Sequence, residues 1–288
     1  MEKRISGTTG LLGLIGSPVG HSGSPAMYNY SFEQLNLDYV YLAFDIKVEE
    51  VKCAIESIKT LKMRGCNVTM PCKTAVVKYL DQLSPAAEMV GAVNTIVNDG
   101  QKLIGHITDG QGFVANLRVH GVEVADKKTV VLGAGGAATA IQVQLALEGA
   151  QAVTIFNQKD QFFENGQRTV EKISQGVPDC QVALLDLADE LKLKQAISEA
   201  DILINATTVG MGNTSETPVN DISVFHSGLV VADAIYNPAV TQLLSDGAAK
   251  GCQVIGGKGM LLRQGAEAFK LYTGLEMPVA DVEKRYFS

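Results

Sequence analysis

The sequence predicts a two-domain α/β chain, an N-terminal α/β domain followed by a doubly wound parallel one. Three observations predict it. Short apolar, β-branched runs alternate with longer amphipathic runs along the 288 residues. A strand-like run, Lys128-Thr129-Val130-Val131-Leu132, opens a second series of such alternations. That run leads straight into a G-x-G-x-x-A turn, Gly133-Ala134-Gly135-Gly136-Ala137-Ala138.

In the first series the expected order is strand 11–15, helix 25–36, strand 39–46, helix 48–62 and strand 65–69. A helix near 73–81, a second from about 84, and strands 91–98 and 102–107 follow. Pro25 and Pro85 suit first helical turns, where a missing N–H costs nothing. In helix 48–62, Val51, Ile55, Ile58 and Lys62 share one face, with Val48 a turn earlier. A helix at 113–121 leaves this domain. The second series reads strand 128–132, helix 136–148, strand 151–156, helix 161–174, strand 180–185, helix 187–199 and strand 201–205. Strand 229–234 and helix 240–250 complete it, and helical stretches 259–273 and 279–287 follow. A ligand crevice in such a sheet lies at the carboxyl ends of its strands.

Composition narrows the function. Apolar residues make up 46% and charged residues 19%, an ordinary globular balance. The formal charge of −7 speaks against a nucleic-acid binder, which carries a basic excess. The early apolar run LLGLI is too short for a signal-peptide core or a membrane span, so a cytoplasmic chain is expected. The five cysteines are scattered without a CxxC pair, so neither a disulfide framework nor a metal site is expected.

The glycine-rich turn carries the sharpest chemistry. Gly133 permits the tight turn, Gly135 lets backbone approach a pyrophosphate, and Ala138 keeps helix and sheet close. The helix N-terminus adds free N–H groups and partial positive charge, so Gly133, Ala134, Gly135, Gly136 and Ala137 are expected to hold the phosphates. The end of the next strand selects the dinucleotide. Asn157 can bond a ribose, and Asp160 can reach the adenosine hydroxyls. No arginine is present there to fork onto a 2′-phosphate, and Lys159 offers only a point charge. NAD is therefore favoured, with NADP as the second candidate.

Four polar clusters mark the first domain. Ser22 and Ser24 flank Gly23 before a helix start, where hydroxyls can meet an anion; capping by Ser24 explains one serine, not both. Lys73 starts a helix after Asn67-Val68-Thr69-Met70-Pro71-Cys72, against the helix dipole. Asn94 lies inside an apolar strand and needs a partner. In Gly105-His106-Ile107-Thr108-Asp109-Gly110, Asp109 can cap the following helix and Gly110 can turn the chain. A lysine and an aspartate in one cleft would suit proton transfer, but spacing alone does not bring Lys73 and Asp109 together.

Taken jointly, these stretches resemble one family. HSGSP at 21–25, NVTMPCK at 67–73, GAVNT at 91–95 and GHITDGQG at 105–112 are similar, in order, to the shikimate dehydrogenase family. GAGGA at 133–137, NATTVGM at 205–211, DAIYNP at 233–238 and GMLLRQGA at 259–266 continue the likeness. NQKDQFF at 157–163 looks closest to the quinate/shikimate dehydrogenase subgroup, where an aspartate accompanies use of NAD.

The resemblance implies a discontinuous substrate-binding catalytic domain, 1–112 with 258–288, and a Rossmann nucleotide-binding domain, 113–257. It implies Lys73 and Asp109 as the catalytic pair. Ser22 and Ser24 would hold the substrate carboxylate, and Thr69, Asn94 and Gln264 the ring hydroxyls, with Tyr236 near the substrate. It places Asn157, Gln158, Lys159, Asp160, Thr208, Ala234, Ile235, Tyr236, Asn237 and Gly257 along the cofactor. Two departures stand out: Ile107 replaces a family asparagine, and Gln158 a family arginine. The implied reaction is reversible oxidation of a ring hydroxyl of shikimate or quinate, by a monomer or homodimer. Two alternatives stay open, a dehydrogenase for a related ring acid such as an aminoshikimate, and a non-catalytic nucleotide sensor on the same fold.

Overall fold

The computed structural model describes residues 5–212 and 215–287. The chain forms two compact units, Met1–Thr108 with Gly265–Ser288, and Asp109–Gln264.

The first unit contains β1 (Gly10–Gly16), α1 (Ser24–Gln34), β2 (Tyr39–Asp45), α2 (Val51–Thr60), β3 (Gly65–Val68), β4 (Gln82–Leu83), α3 (Pro85–Val90), β5 (Thr95–Asn98) and β6 (Leu103–His106). Its sheet runs β2-β1-β3-β5-β6-β4. β1 pairs in parallel with β2 and β3, β5 runs antiparallel to β3 and β6, and β4 is parallel to β6. Its core gathers Tyr28, Phe32, Tyr41, Phe269 and Tyr272, all with 1% exposure or less. Tyr28 and Tyr41 stack at 4.5 Å between centroids, and the Tyr28 hydroxyl donates to Gly265 O at 3.0 Å. A buried phenol that finds an acceptor adds its apolar area without a stranded polar group.

Two expectations are corrected in this unit. Val51, Ile55 and Ile58 form the buried face of α2, but Lys62 lies beyond it, exposed and left-handed at φ 52°. The stretch 73–81 forms turns and one short 3-10 segment, Val77–Tyr79, instead of a helix. Pairing overrides propensity there. Asp81 N donates to Leu103 O, and Asp81 Oδ2 accepts from Leu103 N at 2.8 Å, which draws the chain onto β6 and forms β4.

The second unit contains α4 (Asp109–Val119), β7 (Lys128–Leu132), α5 (Gly136–Leu147), β8 (Ala152–Asn157), α6 (Phe163–Gly176), β9 (Gln181–Asp186), α7 (Glu190–Ser198), β10 (Ile202–Asn205), β11 (Val230–Asp233), α8 (Gln242–Ala249) and β12 (Gln253–Ile255). Helix α9 (Lys258–Thr273) starts in this unit, and α10 (Val279–Tyr286) belongs to the first. The sheet is wholly parallel, in the order β12-β11-β10-β7-β8-β9. Read from β9, that is the 3-2-1-4-5-6 order of a doubly wound nucleotide-binding sheet, with its switch point between β7 and β10. β7, β8 and β10 read as apolar runs because helices cover both faces.

Gly110 and Gly112 do not turn the chain. Both lie inside α4, which begins at Asp109, ahead of the expected 113. A side chain on Gly110 would strike the Ala140 carbonyl of α5, and one on Gly112 the Gln264 backbone of α9. The glycines let helix backbones approach.

Gly110→Ala should lower stability by about 1–3 kcal/mol, the range for overpacking a close contact. Gly135→Ala meets open space at φ −76° and should stay within about 0.5 kcal/mol of the parent. Urea denaturation of both variants checks this. Equal midpoints would remove the close-approach argument.

Candidate active site

In the first unit the polar clusters gather where β1, β3 and β5 meet connecting loops. Ser24 is the first residue of α1, and Gly23, its N-cap, makes no side-chain cap. The Ser22 hydroxyl instead accepts from Ser24 N at 3.2 Å, closing a local turn. Ser24 is therefore not the cap that its position suggests. Thr69 follows β3, and its N–H donates to Ile15 O at 2.9 Å. Gly16 allows the approach: a Cβ there would lie 2.8 Å from Met70 O. Lys73 is half-buried, and its carbonyl accepts from Val93 N at 2.9 Å.

Asn94 precedes β5 instead of lying inside a strand, and is 3% exposed. Its Oδ1 accepts from Thr108 N at 2.9 Å and Thr95 Oγ1 at 3.0 Å, and its Nδ2 donates to Thr108 Oγ1 at 3.0 Å. The network continues through Asn67, whose Nδ2 donates to Thr95 Oγ1 at 3.1 Å and whose Oδ1 accepts from the Tyr41 hydroxyl at 2.8 Å. Asn94 thus fixes the backbone at Thr108, the residue before Asp109. Asp109 itself is half-buried in the first turn of α4 and belongs to the second unit. Ile107 is 4% exposed and packs as core.

In the second unit, β7 ends at Leu132 and Gly133 turns the chain at φ 105°. Gly133 N donates to Phe156 O at 2.8 Å, and Gln142 Nε2 donates to Gly133 O at 2.7 Å. Ala134 O accepts from Asn165 Nδ2 at 2.7 Å. The turn is thus held from β8, α5 and α6. Helix α5 then starts with no side-chain cap; Gly136 and Ala137 are exposed, and no atom lies within 4 Å of a Cβ placed on Gly135 or Gly136. Uncapped N–H groups beside glycine backbone suit a pyrophosphate, so these residues fit a dinucleotide.

At the end of β8, Asn157 Nδ2 donates to Asp160 Oδ1 at 2.9 Å, and the same oxygen accepts from Phe162 N at 2.8 Å. Gln158 is exposed, and its carbonyl accepts from Asn157 Nδ2 at 2.7 Å. Lys159 pairs with Asp186 Oδ2 at 3.3 Å. Asp160 is thereby held through Oδ1.

The loops after β10 and β11 carry the other candidates. Gly257 packs backbone to backbone: its N–H donates to Ile235 O at 3.1 Å, and a Cβ would lie 2.5 Å from Ala234 O. Ala234, Ile235 and Gly257 are therefore together. Tyr236 is 50% exposed, Asn237 and Thr208 are exposed, and Gly212 N donates to Asn237 O at 3.3 Å. Gln264 lies on α9, where its Nε2 donates to Leu261 O at 3.1 Å.

Sequence reasoning missed one group beneath these loops. Asp233, 1% exposed, accepts from Ile235 N and the Thr241 hydroxyl, both at 2.8 Å, and from Asn205 Nδ2 at 3.2 Å. Asn205 Oδ1 in turn accepts from Thr207 N and Oγ1. Burial pushes the Asp233 carboxyl above the usual carboxylate range, against the bonds it accepts. The signal was legible: β10 reads ILIN and β11 reads VVAD, each apolar run ending in a polar residue at the carboxyl end.

Among the described residues no cluster of histidine, cysteine and carboxylate side chains is arranged to hold a metal. No helix among them is long and apolar enough to cross a membrane.

Strand order and turn define the class: a two-unit α/β protein whose second unit is a Rossmann-type nucleotide-binding fold. Comparison with known proteins narrows it. The profile described as the shikimate dehydrogenase substrate binding domain matches residues 14–96, and that of the shikimate 5′-dehydrogenase C-terminal domain matches 257–285. A curated relative from Listeria monocytogenes, shikimate dehydrogenase (NADP(+)), is 47% identical over 288 residues, 100% of this chain and 99% of that protein. Quinate/shikimate dehydrogenase from Escherichia coli is 44% identical over 275 residues, 95% of each chain. A crystal structure of shikimate 5-dehydrogenase from Listeria monocytogenes, in complex with shikimate and NAD, superposes with a TM-score of 0.95 at 47% identity, covering 99% of this chain and 98% of that one. The chain belongs to the shikimate dehydrogenase family.

Asn94→Ala should destabilise the fold by about 1–3 kcal/mol or more, because it strands the N–H and hydroxyl of Thr108. Denaturant titration measures the loss. A variant as stable as the parent would show that the Asn94–Thr108 bonds carry no net weight.

Proposed function

We propose that the chain is a dinucleotide-dependent dehydrogenase that reversibly oxidises a ring hydroxyl of shikimate or quinate. The observation that carries this reading is the exposed, uncapped start of α5 behind Gly133 and Gly135, at the switch point of a 3-2-1-4-5-6 sheet. Likeness over the full chain to shikimate dehydrogenases supports the substrate class. NAD is the favoured cofactor, with NADP second, because Asp160 stands near the ribose position and no arginine follows Asn157. A bound nicotinamide supplies the hydride acceptor or donor.

The chain's own residues do the rest. Gly133, Ala134, Gly135, Gly136 and Ala137 hold the pyrophosphate through backbone N–H groups, and Asn157 with Asp160 meets the adenosine ribose. Ala234, Ile235, Tyr236, Asn237, Gly257 and Thr208 shape the nicotinamide end. Ser22 and Ser24 donate to the substrate carboxylate, and Thr69, Asn94 and Gln264 orient the ring hydroxyls. Lys73 and Asp109 are the proton-transfer residues: the hydroxyl proton passes to Lys73, or to the two as a set, during oxidation and returns during ketone reduction. The substrate-binding role falls to the first unit and the nucleotide-binding role to the second. A small ring carboxylate, not nucleic acid or a membrane, is the partner, and the enzyme works in the cytoplasm as a monomer or homodimer.

The deciding experiment is a cofactor absorbance assay with shikimate and quinate, each against NAD and NADP. Turnover with NAD preferred supports the reading; no turnover in any combination overturns it. Lys73→Ala should lower kcat on the order of 10²-fold with a smaller change in KM, as for a lost acid–base group. A folded variant with near-parent kcat would remove Lys73 from the chemistry. Ser24→Ala should raise KM for the ring acid roughly tenfold to a hundredfold, the weight of one hydrogen bond to a charge. An unchanged KM with only a lowered melting temperature would make Ser24 structural.

A further inference from the structure

We infer that Asp186, at the end of β9, is a cofactor-specificity residue that withholds Lys159 from a 2′-phosphate. The inference rests on the dinucleotide reading of the second unit and goes beyond it, to a residue outside the β8 segment.

Pairing register places Asp186. In the parallel β8–β9 ladder, Asn157 stands opposite Asp186, and Leu187 N donates to Asn157 O at 3.0 Å. The carboxylate is therefore held at the same carboxyl end as the Asn157–Asp160 turn. Its Oδ1 accepts from Ala188 N at 3.0 Å, and its Oδ2 lies 3.3 Å from Lys159 Nζ. The Ala188 N–H and the Lys159 ammonium hold its carboxyl below the usual range, so it is ionised at neutral pH. The next acid along, Asp189, pairs with Lys192 at 3.0 Å.

Charge then decides. Gln158 is neutral, so Lys159 is the cation that this turn offers to a 2′-phosphate. Asp160 and Asp186 flank it with two negative charges, and the trio carries a net −1. A 2′-phosphate adds nearly two further negative charges, which this local field repels; two ribose hydroxyls add none. The salt bridge itself, on an exposed lysine, adds little to stability. Its consequence is for selectivity, because discrimination is a difference between two affinities and a repulsive group supplies it.

The test is direct binding without ring acid. The chain has no tryptophan, so NADH and NADPH can be titrated by their own nicotinamide fluorescence without indole background. The measured quantity is the ratio of the two dissociation constants in the parent, Asp186→Asn, Asp186→Ser and the Asp186→Asn/Lys159→Gln double variant, with folding checked by thermal melts. Asp186→Ser keeps an oxygen for Ala188 N. Both single variants should shift the ratio toward NADPH by about threefold to tenfold, the scale of one partly screened unit charge acting on a phosphate. The shift should shrink in high salt and vanish in the double variant. A ratio unchanged within about twofold in folded single variants, or a gain that survives Lys159→Gln, overturns the inference while leaving nucleotide binding standing. Absence of binding by either nucleotide to the parent overturns the dinucleotide reading and this inference with it.

Discussion

At Gly133 the chain leaves β7 with φ 105°, and most of the second unit's functional geometry follows from that one turn. The residue is gripped on three sides. Its N–H donates to Phe156 O of β8, its carbonyl accepts from Gln142 of α5, and a Cβ would lie 2.9 Å from Ala206 O beyond β10. L-residues resist this backbone region, and the neighbouring carbonyl leaves no room for a side chain. The turn points α5 so that its first N–H groups stay uncapped and exposed at the switch point. Gln142 is 0% exposed with its Oε1 unpaired, an expense on the order of 1–3 kcal/mol for a stranded buried acceptor. The fold tolerates it where the amide fixes Gly133.

Buried polar groups at strand ends follow the same logic in both units. In the first, Tyr41, Asn67, Thr95, Asn94 and Thr108 bond in series. In the second, Asp233 ties the start of α8, through Thr241, to the loop after β10, through Asn205. A core built for stability alone would fill these positions with apolar side chains, since buried polar groups add little unless fully bonded. Here the bonds fix loop backbones that carry exposed candidates such as Thr208, Tyr236 and Asn237. Rigid support beneath exposed side chains is what positioned chemistry requires.

Much of this was legible in the sequence. The strand–helix alternation and the glycine-rich turn follow from periodicity and motif. Failures came where a partner distant in sequence decides. Gly110 reads as a turn residue because nothing local reports that the Ala140 backbone lies against it. Residues 73–81 read as helix because the pull of Leu103 on Asp81 is a tertiary pairing. Capping by Ser24 is the local alternative its position suggests, yet the bonded oxygen belongs to Ser22. Asp186 went unnoticed because its meaning is a matter of register: only the β8–β9 ladder sets it opposite Asn157.

An acidic chain of net charge −7 proposed to bind two anionic molecules needs explanation, and the proposed site supplies it. Net charge acts at long range and is screened within about 10 Å at ordinary salt. Binding is decided inside that range by oriented donors. In the proposed site those donors are the Ser22 and Ser24 hydroxyls at the first unit; at the second they are the N–H groups of α5, which starts without a side-chain cap, with the helix dipole behind them. Neutral donors hold an anion in a fixed geometry without creating a general attraction for phosphates. Where a cation does stand beside the proposed nucleotide site, at Lys159, a carboxylate faces it. The site can thus hold a pyrophosphate by geometry and discriminate against a further phosphate by charge, two functions that a cluster of lysines and arginines would merge into one.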